Sequence, residues 1–223
     1  MQIHHFDKPE QLNQHFAQTI VSLLANAIAE RGQAFLVVSG GKTPLGLFQM
    51  LAKTNLSWEK VVITLADERC LSPAENDSNE RMVRNHLLQH NAAKATFISL
   101  YNEDNSFDIE ARLSLLPTFD VVILGMGEDG HTASLFPCSD EIENGLADEA
   151  STTLMVNPKT ASHKRISLSK TRLLKSRAIF LHLVGKKKLE VLNKALDGKD
   201  PLEMPIRAFL HHPATNVQVM FAP

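Results

Sequence analysis

Short apolar runs alternate with longer amphipathic segments along most of this chain. Apolar residues, among them Leu12 and Phe16, recur at helical spacing over residues 9–31, and Gly32 follows as a stop signal. The run at 34–38 is continuous, apolar and too short for a helix, which is typical of a buried strand. The same criteria predict further strands at 61–66, 96–100, 119–124, 152–156, 165–168, 177–184 and 217–221. They predict further helices at 45–53, 78–90, 107–116 and 186–196, a short helical turn at 173–176, and a polar loop over 67–77.

This alternation predicts an α/β protein with a mostly parallel sheet and helices on both faces. We see no internal repeat and no break in composition that would mark a linker, so we expect residues 1–223 to form a single domain. Ligands of such sheets bind at the carboxyl ends of the strands. The loops after Val38, Ala66, Leu124 and Val184 are therefore expected to gather at one rim.

Composition excludes several classes of protein. The chain has 43% hydrophobic and 22% charged residues, which is typical of a globular protein and argues against wholesale disorder. Its two cysteines, Cys70 and Cys138, are too few for a disulfide-dense secreted scaffold or a four-cysteine zinc site. The chain has no apolar run near the roughly 18 residues that a membrane span needs, and its N-terminus lacks a signal-peptide pattern. We therefore expect a cytoplasmic protein without a membrane partner.

Charge is unevenly distributed, although the net charge is only −2. Residues 159–199 hold twelve Lys or Arg against two acids, so this segment carries +10 and the rest of the chain −12. One interpretation is a solvated basic face, and the other is that part of the segment faces an anionic ligand. Phe180 is the only aromatic residue in the segment, which argues against a single-stranded nucleic-acid groove.

Two of the rim loops suit an anionic ligand. Gly40 and Gly41 let the backbone approach an anion closely, and Thr43 follows them at the start of a predicted helix. Asp67 and Arg69 follow the strand at 61–66, and the planar guanidinium of arginine suits a phosphate. The alternatives are an ordinary glycine turn for the first loop and a surface salt-bridge cluster for the second.

The third rim loop, 125–137, carries the candidate acid–base chemistry. Its start matches the dinucleotide pattern G-x-G-x-x-G, but Glu128 and Asp129 would then lie against a pyrophosphate, so we discount that match. The loop contains His131, and a histidine side chain can take a proton from water. Asp129, two residues away, is placed to orient it. A surface or structural histidine is the alternative.

The basic segment supplies further cations. Gly185 is followed by three lysines, of which helical spacing lets one point inward, and Arg165 opens another predicted strand. The sequence shows no metal-ligand cluster and no G-x-S-x-G nucleophile motif. These residues together indicate a small phosphorylated substrate and proton-transfer chemistry.

Four motifs in order resemble the signature of the 6-phosphogluconolactonase family. They are Ser39-Gly40-Gly41-Lys42-Thr43-Pro44, Asp67-Glu68-Arg69-Cys70, Asp77-Ser78-Asn79 and the complete G-x-G-x-D-G-H-x-A-S-L-F-P stretch over 125–137. The motifs that begin at Arg165 and Gly185 resemble later ones of the family. The end of the chain departs from the pattern, because the last strand lacks the expected aromatic residue and Asp.

The resemblance implies a Rossmann-like fold similar to glucosamine-6-phosphate deaminase and hydrolysis of 6-phosphogluconolactone in the oxidative pentose phosphate pathway, without a metal or organic cofactor. It implies a small phosphorylated sugar lactone as partner, no nucleic acid or membrane, and a monomer or small homo-oligomer. The resemblance implies that His131 is the general base and that Asp129 supports it. It implies that the phosphate is bound by Arg69, Lys188 and Arg165. It also implies that the site is lined by Gly40, Gly41 and Thr43, with Asp67 in an unassigned role.

Two other functions fit the same pattern. A sugar-phosphate isomerase or deaminase on this fold would carry an acid shortly after its histidine, where this chain has Leu135, Phe136 and Pro137. A sugar-phosphate sensor of this fold would carry a DNA-binding module, for which we see no room in 223 residues.

Overall fold

The computed structural model describes residues 1–101 and 106–223. The strands in these ranges are β1 (Gln2–His5), β2 (Ala34–Val38), β3 (Val61–Leu65), β4 (Asp67–Arg69), β5 (Thr96–Ile98), β6 (Phe119–Leu124), β7 (Thr153–Val156), β8 (Arg165–Leu168), β9 (Ser176–Val184) and β10 (Gln218–Ala222). The helices are α1 (Pro9–Arg31), α2 (Leu45–Leu51), α3 (Asn79–His86), α4 (Ser106–Ser114), α5 (Ile142–Leu146), α6 (Lys170–Leu174), α7 (Lys186–Asp197) and α8 (Arg207–Leu210). Short 3-10 turns lie at Trp58–Lys60 and His90–Lys94.

A parallel sheet of seven strands forms the centre of the described structure, in the order β1-β10-β9-β6-β2-β3-β5. Strands β3 and β6 are buried along their whole length, which requires cover on both faces of the sheet. Helix α1 packs on one face, where Phe16 contacts Phe180 of β9. The predicted α/β class, with a mostly parallel sheet, is confirmed.

The strands that carry the rim loops end at one edge of the sheet. Val38 pairs with Leu65, and Leu36 pairs with Val121, so β2, β3 and β6 finish close to the same level. Leu124 at the end of β6 pairs with Leu181, and β9 continues beyond it to Val184. This register brings the loops after these strands to a common rim.

A second, antiparallel sheet of three strands, β4-β8-β7, corrects one prediction from the sequence. The segment 67–77 was expected to be a loop, but its first three residues form β4. The sequence of β4 is charged throughout, so its hydrophobic pattern carries no strand signal. Pairing with β8 determines its conformation instead.

Capping residues define several helix boundaries. The αL residue Gly32 ends α1, and its N–H donates to the carbonyl of Ile28. Ser78 caps α3, where its side chain accepts a hydrogen bond from the Arg81 N–H. Ser169 caps α6 in the same way, so this helix begins earlier than the predicted turn at 173–176.

Three short elements were not predicted from the sequence: β1, α5 and α8. Each has only four or five residues, too few to show a period of 2 or 3.6. No helix in the described ranges is both long and apolar enough to cross a membrane.

His182 on β9 is an unusual polar residue of the core. It is 3% exposed, its ring packs edge-on against Phe16 at 5.4 Å, and neither ring nitrogen has a hydrogen-bond partner among the residues that the structure describes. Burial lowers the pKa of His182 to about 4. The ring is therefore neutral at physiological pH.

We expect His182→Leu to make the stability of the protein less sensitive to acid. An unfolded histidine binds a proton below about pH 6.5, whereas folded His182 does so only near its pKa of about 4, so the wild type loses stability as pH falls through this window. At pH 5 this histidine alone costs the wild type about 2 kcal/mol relative to pH 7.5. Free energies of unfolding in denaturant at both pH values, for both proteins, measure the difference. Equal losses in the two proteins would contradict the assignment.

Candidate active site

A cleft of about 340 Å³ lies at the carboxyl edge of the parallel sheet. The loops after β2, β6 and β9 and the strand β4 contribute to its walls, so the four predicted rim segments do meet in one place. Eight of the nine predicted site residues line it: Gly40, Gly41, Thr43, Asp67, Arg69, His131, Arg165 and Lys188. The ninth, Asp129, lies behind His131.

The His131 ring is held at one nitrogen and packed on one face. Its Nδ1 lies 2.6 Å from Oδ1 of Asp129, and that oxygen also accepts the His131 backbone N–H at 3.1 Å. The Phe136 ring covers one face, with centroids 4.2 Å apart and planes inclined by 31°. A Cβ on Gly127 would lie 2.1 Å from Nδ1, so only a glycine at this position leaves room for the ring.

The glycine loop folds into a tight turn that presents this histidine. The Gly127 N–H donates to the carbonyl of His131 at 2.8 Å, and the Gly130 N–H donates to the carbonyl of Gly127. Gly130 has a φ of 78°, and Met204 packs directly on its Cα side, which leaves no space for a side chain. Gly127 and Gly130 are therefore needed for the tight turn that presents His131.

Burial and hydrogen bonding act in opposite directions on Asp129. Partial burial raises the pKa of Asp129, but the hydrogen bond and charge of His131 outweigh it, so the pKa lies below its ordinary value. Asp129 is thus a carboxylate at neutral pH. It accepts the proton of Nδ1, and this leaves Nε2 as the nitrogen with a free lone pair.

Two arginines come together because β4 pairs with β8. Arg69 and Arg165 are direct partners in this antiparallel register. Arg165 is 6% exposed, and its Nη1 has no hydrogen-bond partner within the described residues. Burial and the positive charge of Arg69 lower the pKa of Arg165, which the charge of Asp67 partly offsets. A buried guanidinium with an unused donor beside a second guanidinium suits a dianion.

The lysine triplet points in different directions, as helical spacing requires. Lys186 and Lys187 are exposed, whereas Lys188 is half-buried and lines the cleft. The Nζ of Lys188 donates to the carbonyl of Met126 at 2.6 Å. The exposed Lys187 pairs with Glu128 at 2.7 Å, and this contact lowers the pKa of Glu128.

Asp67 is fixed by the loop that follows His131. Its Oδ2 accepts a hydrogen bond from the Ser134 hydroxyl at 2.5 Å, and the Ser134 N–H donates to Oγ of Ser167. Its backbone carbonyl accepts from Nδ2 of Asn79 at 3.0 Å. Asp67 is therefore a buried acceptor in the cleft wall.

Sequence reasoning missed several lining residues: Ser39, Lys42, Asn79, Phe136 and His182. Asn79 belongs to the Asp77-Ser78-Asn79 motif, yet nothing in the sequence indicated that its amide lies against Gly40. A Cβ on Gly40 would be 1.9 Å from the Asn79 Oδ1. The side chain of His182 belongs to a strand that only the fold places next to the cleft. Within the described residues, no group of three or more His, Cys, Asp or Glu is arranged to hold a metal ion.

Comparisons with known proteins identify relatives of this chain. A curated 6-phosphogluconolactonase of Pseudomonas putida is 42% identical over 96% of this chain and 90% of its own length. The crystal structure of a 6-phosphogluconolactonase from Shewanella baltica superposes with a TM-score of 0.97 at 48% identity, covering 100% of this chain and 98% of the other. A monomeric glucosamine-6-phosphate deaminase shares the fold, with a TM-score of 0.81 at 23% identity and coverage of 100% and 97%.

The expected likeness to the deaminase fold is thereby confirmed. The family model described as "Glucosamine-6-phosphate isomerases/6-phosphogluconolactonase" matches residues 7–219, almost the whole chain. The chain therefore belongs to the glucosamine-6-phosphate isomerase/6-phosphogluconolactonase family.

Proposed function

We propose that this protein hydrolyses 6-phosphogluconolactone to 6-phosphogluconate, with His131 as the general base. The observation that carries the proposal is the His131–Asp129 pair, which borders the same cleft as Arg69, Arg165 and Lys188. The names of the Pseudomonas putida and Shewanella baltica relatives support the choice of substrate.

The proposed reaction starts with a water molecule next to Nε2 of His131. The imidazole takes one proton from this water as its oxygen bonds to the lactone carbonyl carbon. In the second step the bond between that carbon and the ring oxygen breaks, and the imidazolium returns the proton to the leaving ring oxygen. The product is an open-chain acid with a new hydroxyl group, and its carboxyl proton goes to solvent.

Asp129 would keep His131 ready for this cycle. Its carboxylate holds the proton on Nδ1, so the lone pair of Nε2 faces the water, and its negative charge stabilises the imidazolium that forms. Phe136 packs against the ring, and the absence of a Cβ at Gly127 leaves room for it in this position.

The cations would bind the phosphate at the other end of the substrate. Arg69 and Arg165 present adjacent guanidinium groups, and Lys188 reaches the cleft from the first turn of α7. Gly40, Gly41 and Thr43 also line the cleft. Asp67 has one carboxylate oxygen engaged by Ser134, which leaves the other to accept a hydrogen bond from a sugar hydroxyl.

Lactone hydrolysis and sugar-phosphate deamination predict different products from the same cleft. The aromatic Phe136 packs on His131 where the deaminase pattern would supply a nearby acid. We expect the purified protein to open 6-phosphogluconolactone, generated in place, far faster than its spontaneous opening, and to release no ammonia from glucosamine 6-phosphate. Ammonia without lactone hydrolysis would overturn the proposal, and binding of the phosphosugar without either reaction would indicate a sensor.

Replacing His131 with alanine should abolish most of the turnover. The loss of the base is expected to lower kcat by about 10²- to 10⁴-fold, with KM nearly unchanged because the phosphate contacts remain. His15, an exposed residue of α1, gives a matched control, and His15→Ala should keep wild-type kinetics. An undiminished kcat in His131→Ala would remove this residue from the mechanism.

Replacing Arg69 with alanine should weaken binding of the phosphorylated substrate selectively. A lost charged hydrogen bond to phosphate is expected to raise KM for 6-phosphogluconolactone by about 10- to 100-fold, and to leave hydrolysis of unphosphorylated gluconolactone within about twofold. Arg81, nearby but outside the cleft lining, is the control. Equal losses on both lactones would show that Arg69 does not bind the phosphate.

A further inference from the structure

Glu68 lies between two cleft residues but faces away from the cleft. Side chains alternate along a strand, so Asp67 and Arg69 of β4 point to the cleft side and Glu68 points to the opposite side. Glu68 is completely buried, at 0% exposure. A buried charge next to a binding cleft is costly unless it is fully hydrogen-bonded.

Four donors satisfy the Glu68 carboxylate. Oε1 accepts the backbone N–H groups of Arg69 at 2.6 Å and Asn79 at 2.8 Å. Oε2 accepts the Ser78 hydroxyl at 3.0 Å and the Glu80 N–H at 2.6 Å. Burial raises the pKa of Glu68 and these donors lower it, with burial the larger effect.

These bonds connect β4 to the first turn of α3. Two of the four donors are free N–H groups at the start of that helix, which have no partner within the helix. The carboxylate of Glu68 thus caps α3 from a neighbouring strand, with the favourable sign for the helix dipole. The Glu68 side chain therefore contributes four hydrogen bonds to the junction between β4 and α3.

Two cleft side chains depend on this connection. The Arg69 guanidinium donates to the carbonyl of Asp77, the residue that precedes the Ser78 cap. The Asn79 amide bonds the carbonyl of Asp67 and lies against Gly40. If the junction between β4 and α3 moved, both side chains would move with it.

The negative charge of Glu68 also acts on Arg165. Its carboxylate attracts Arg165, which opposes the effects of burial and of the neighbouring Arg69 on that guanidinium. The buried negative charge therefore helps to keep two guanidinium groups side by side while no anion is bound.

We propose that Glu68 is a positioning residue, which holds Arg69 and Asn79 in the geometry that the cleft needs to bind a phosphorylated substrate. The inference rests on the proposed function for the identity of the substrate. Glu68 itself does not line the cleft, so its effect on binding passes through Arg69, Asn79 and the charge balance at Arg165.

The test compares Glu68→Gln with the matched control Glu80→Gln. A glutamine keeps the shape of Glu68 but places an N–H₂ group against two of the donors. We expect KM for 6-phosphogluconolactone to rise about tenfold, kcat to stay within about threefold, and kcat/KM for unphosphorylated gluconolactone to stay within about twofold. Glu80 is also buried and pairs with Arg84 and Ser99 outside the cleft, so its variant should leave both KM values unchanged.

A purely structural role would give a different pattern. A smaller fraction of folded enzyme would lower kcat equally for both lactones and leave KM unchanged. That result would overturn the inference, and so would an unchanged KM in folded Glu68→Gln. If Glu68→Gln does not fold, Ser78→Ala removes one of the four donors and should raise only the KM for the phosphorylated lactone, by about twofold or more. An unchanged KM in that variant would then count against the inference.

Binding of inorganic phosphate tests the role of Glu68 independently of the proposed lactonase activity. A wild-type protein without lactonase activity would remove the proposed function alone. Binding of inorganic phosphate, measured by titration calorimetry or by NMR, should still be weakened about tenfold in Glu68→Gln and unchanged in Glu80→Gln. Equal phosphate affinity in all three proteins would overturn the positioning role.

Discussion

The backbone of Ala66 joins the two sheets, and the cleft depends on that junction. Its N–H donates to the carbonyl of Val38 at 2.8 Å, which extends the parallel ladder by one residue. Its carbonyl accepts the N–H of Leu168 at 2.8 Å, which attaches β8. The chain thus leaves a fully buried parallel strand and at once enters a charged antiparallel one. Without this change of partner, β4 and β8 would have no fixed position above the edge of the main sheet.

The cleft combines two kinds of support. On the histidine side, the ring of His131 packs against Phe136 and fits beside Gly127, which has no Cβ. Charges and buried hydrogen bonds shape the arginine side, where Asp67 in the cleft wall and Glu68 on the opposite side of β4 both attract the guanidinium of Arg165. The first arrangement fixes the direction of a single nitrogen, while the second provides a site for negative charge. Together they suit a substrate with a reactive carbonyl at one end and an anion at the other.

The sequence predicted much of the parallel sheet because strands such as β2 and β6 are continuous apolar runs, and both have the predicted bounds. It located the rim loops because glycines and charges there interrupt the apolar pattern. It could not predict β4, whose residues are all charged and whose conformation comes from pairing with a distant segment. The same limit applies to Asn79 and His182, which reach the cleft through tertiary packing. The small elements β1, α5 and α8 are too short for a periodic signal.

The pairing of Arg69 with Arg165 also has a consequence for how the chain acquires its binding site. The two residues are far apart in sequence, and strands β5, β6 and β7 lie between them along the chain. Closing such a long loop costs entropy that only later contacts repay. A partly folded chain has therefore not yet brought the two arginines together. On the proposed function, a phosphorylated ligand would stabilise the finished fold and not an early intermediate.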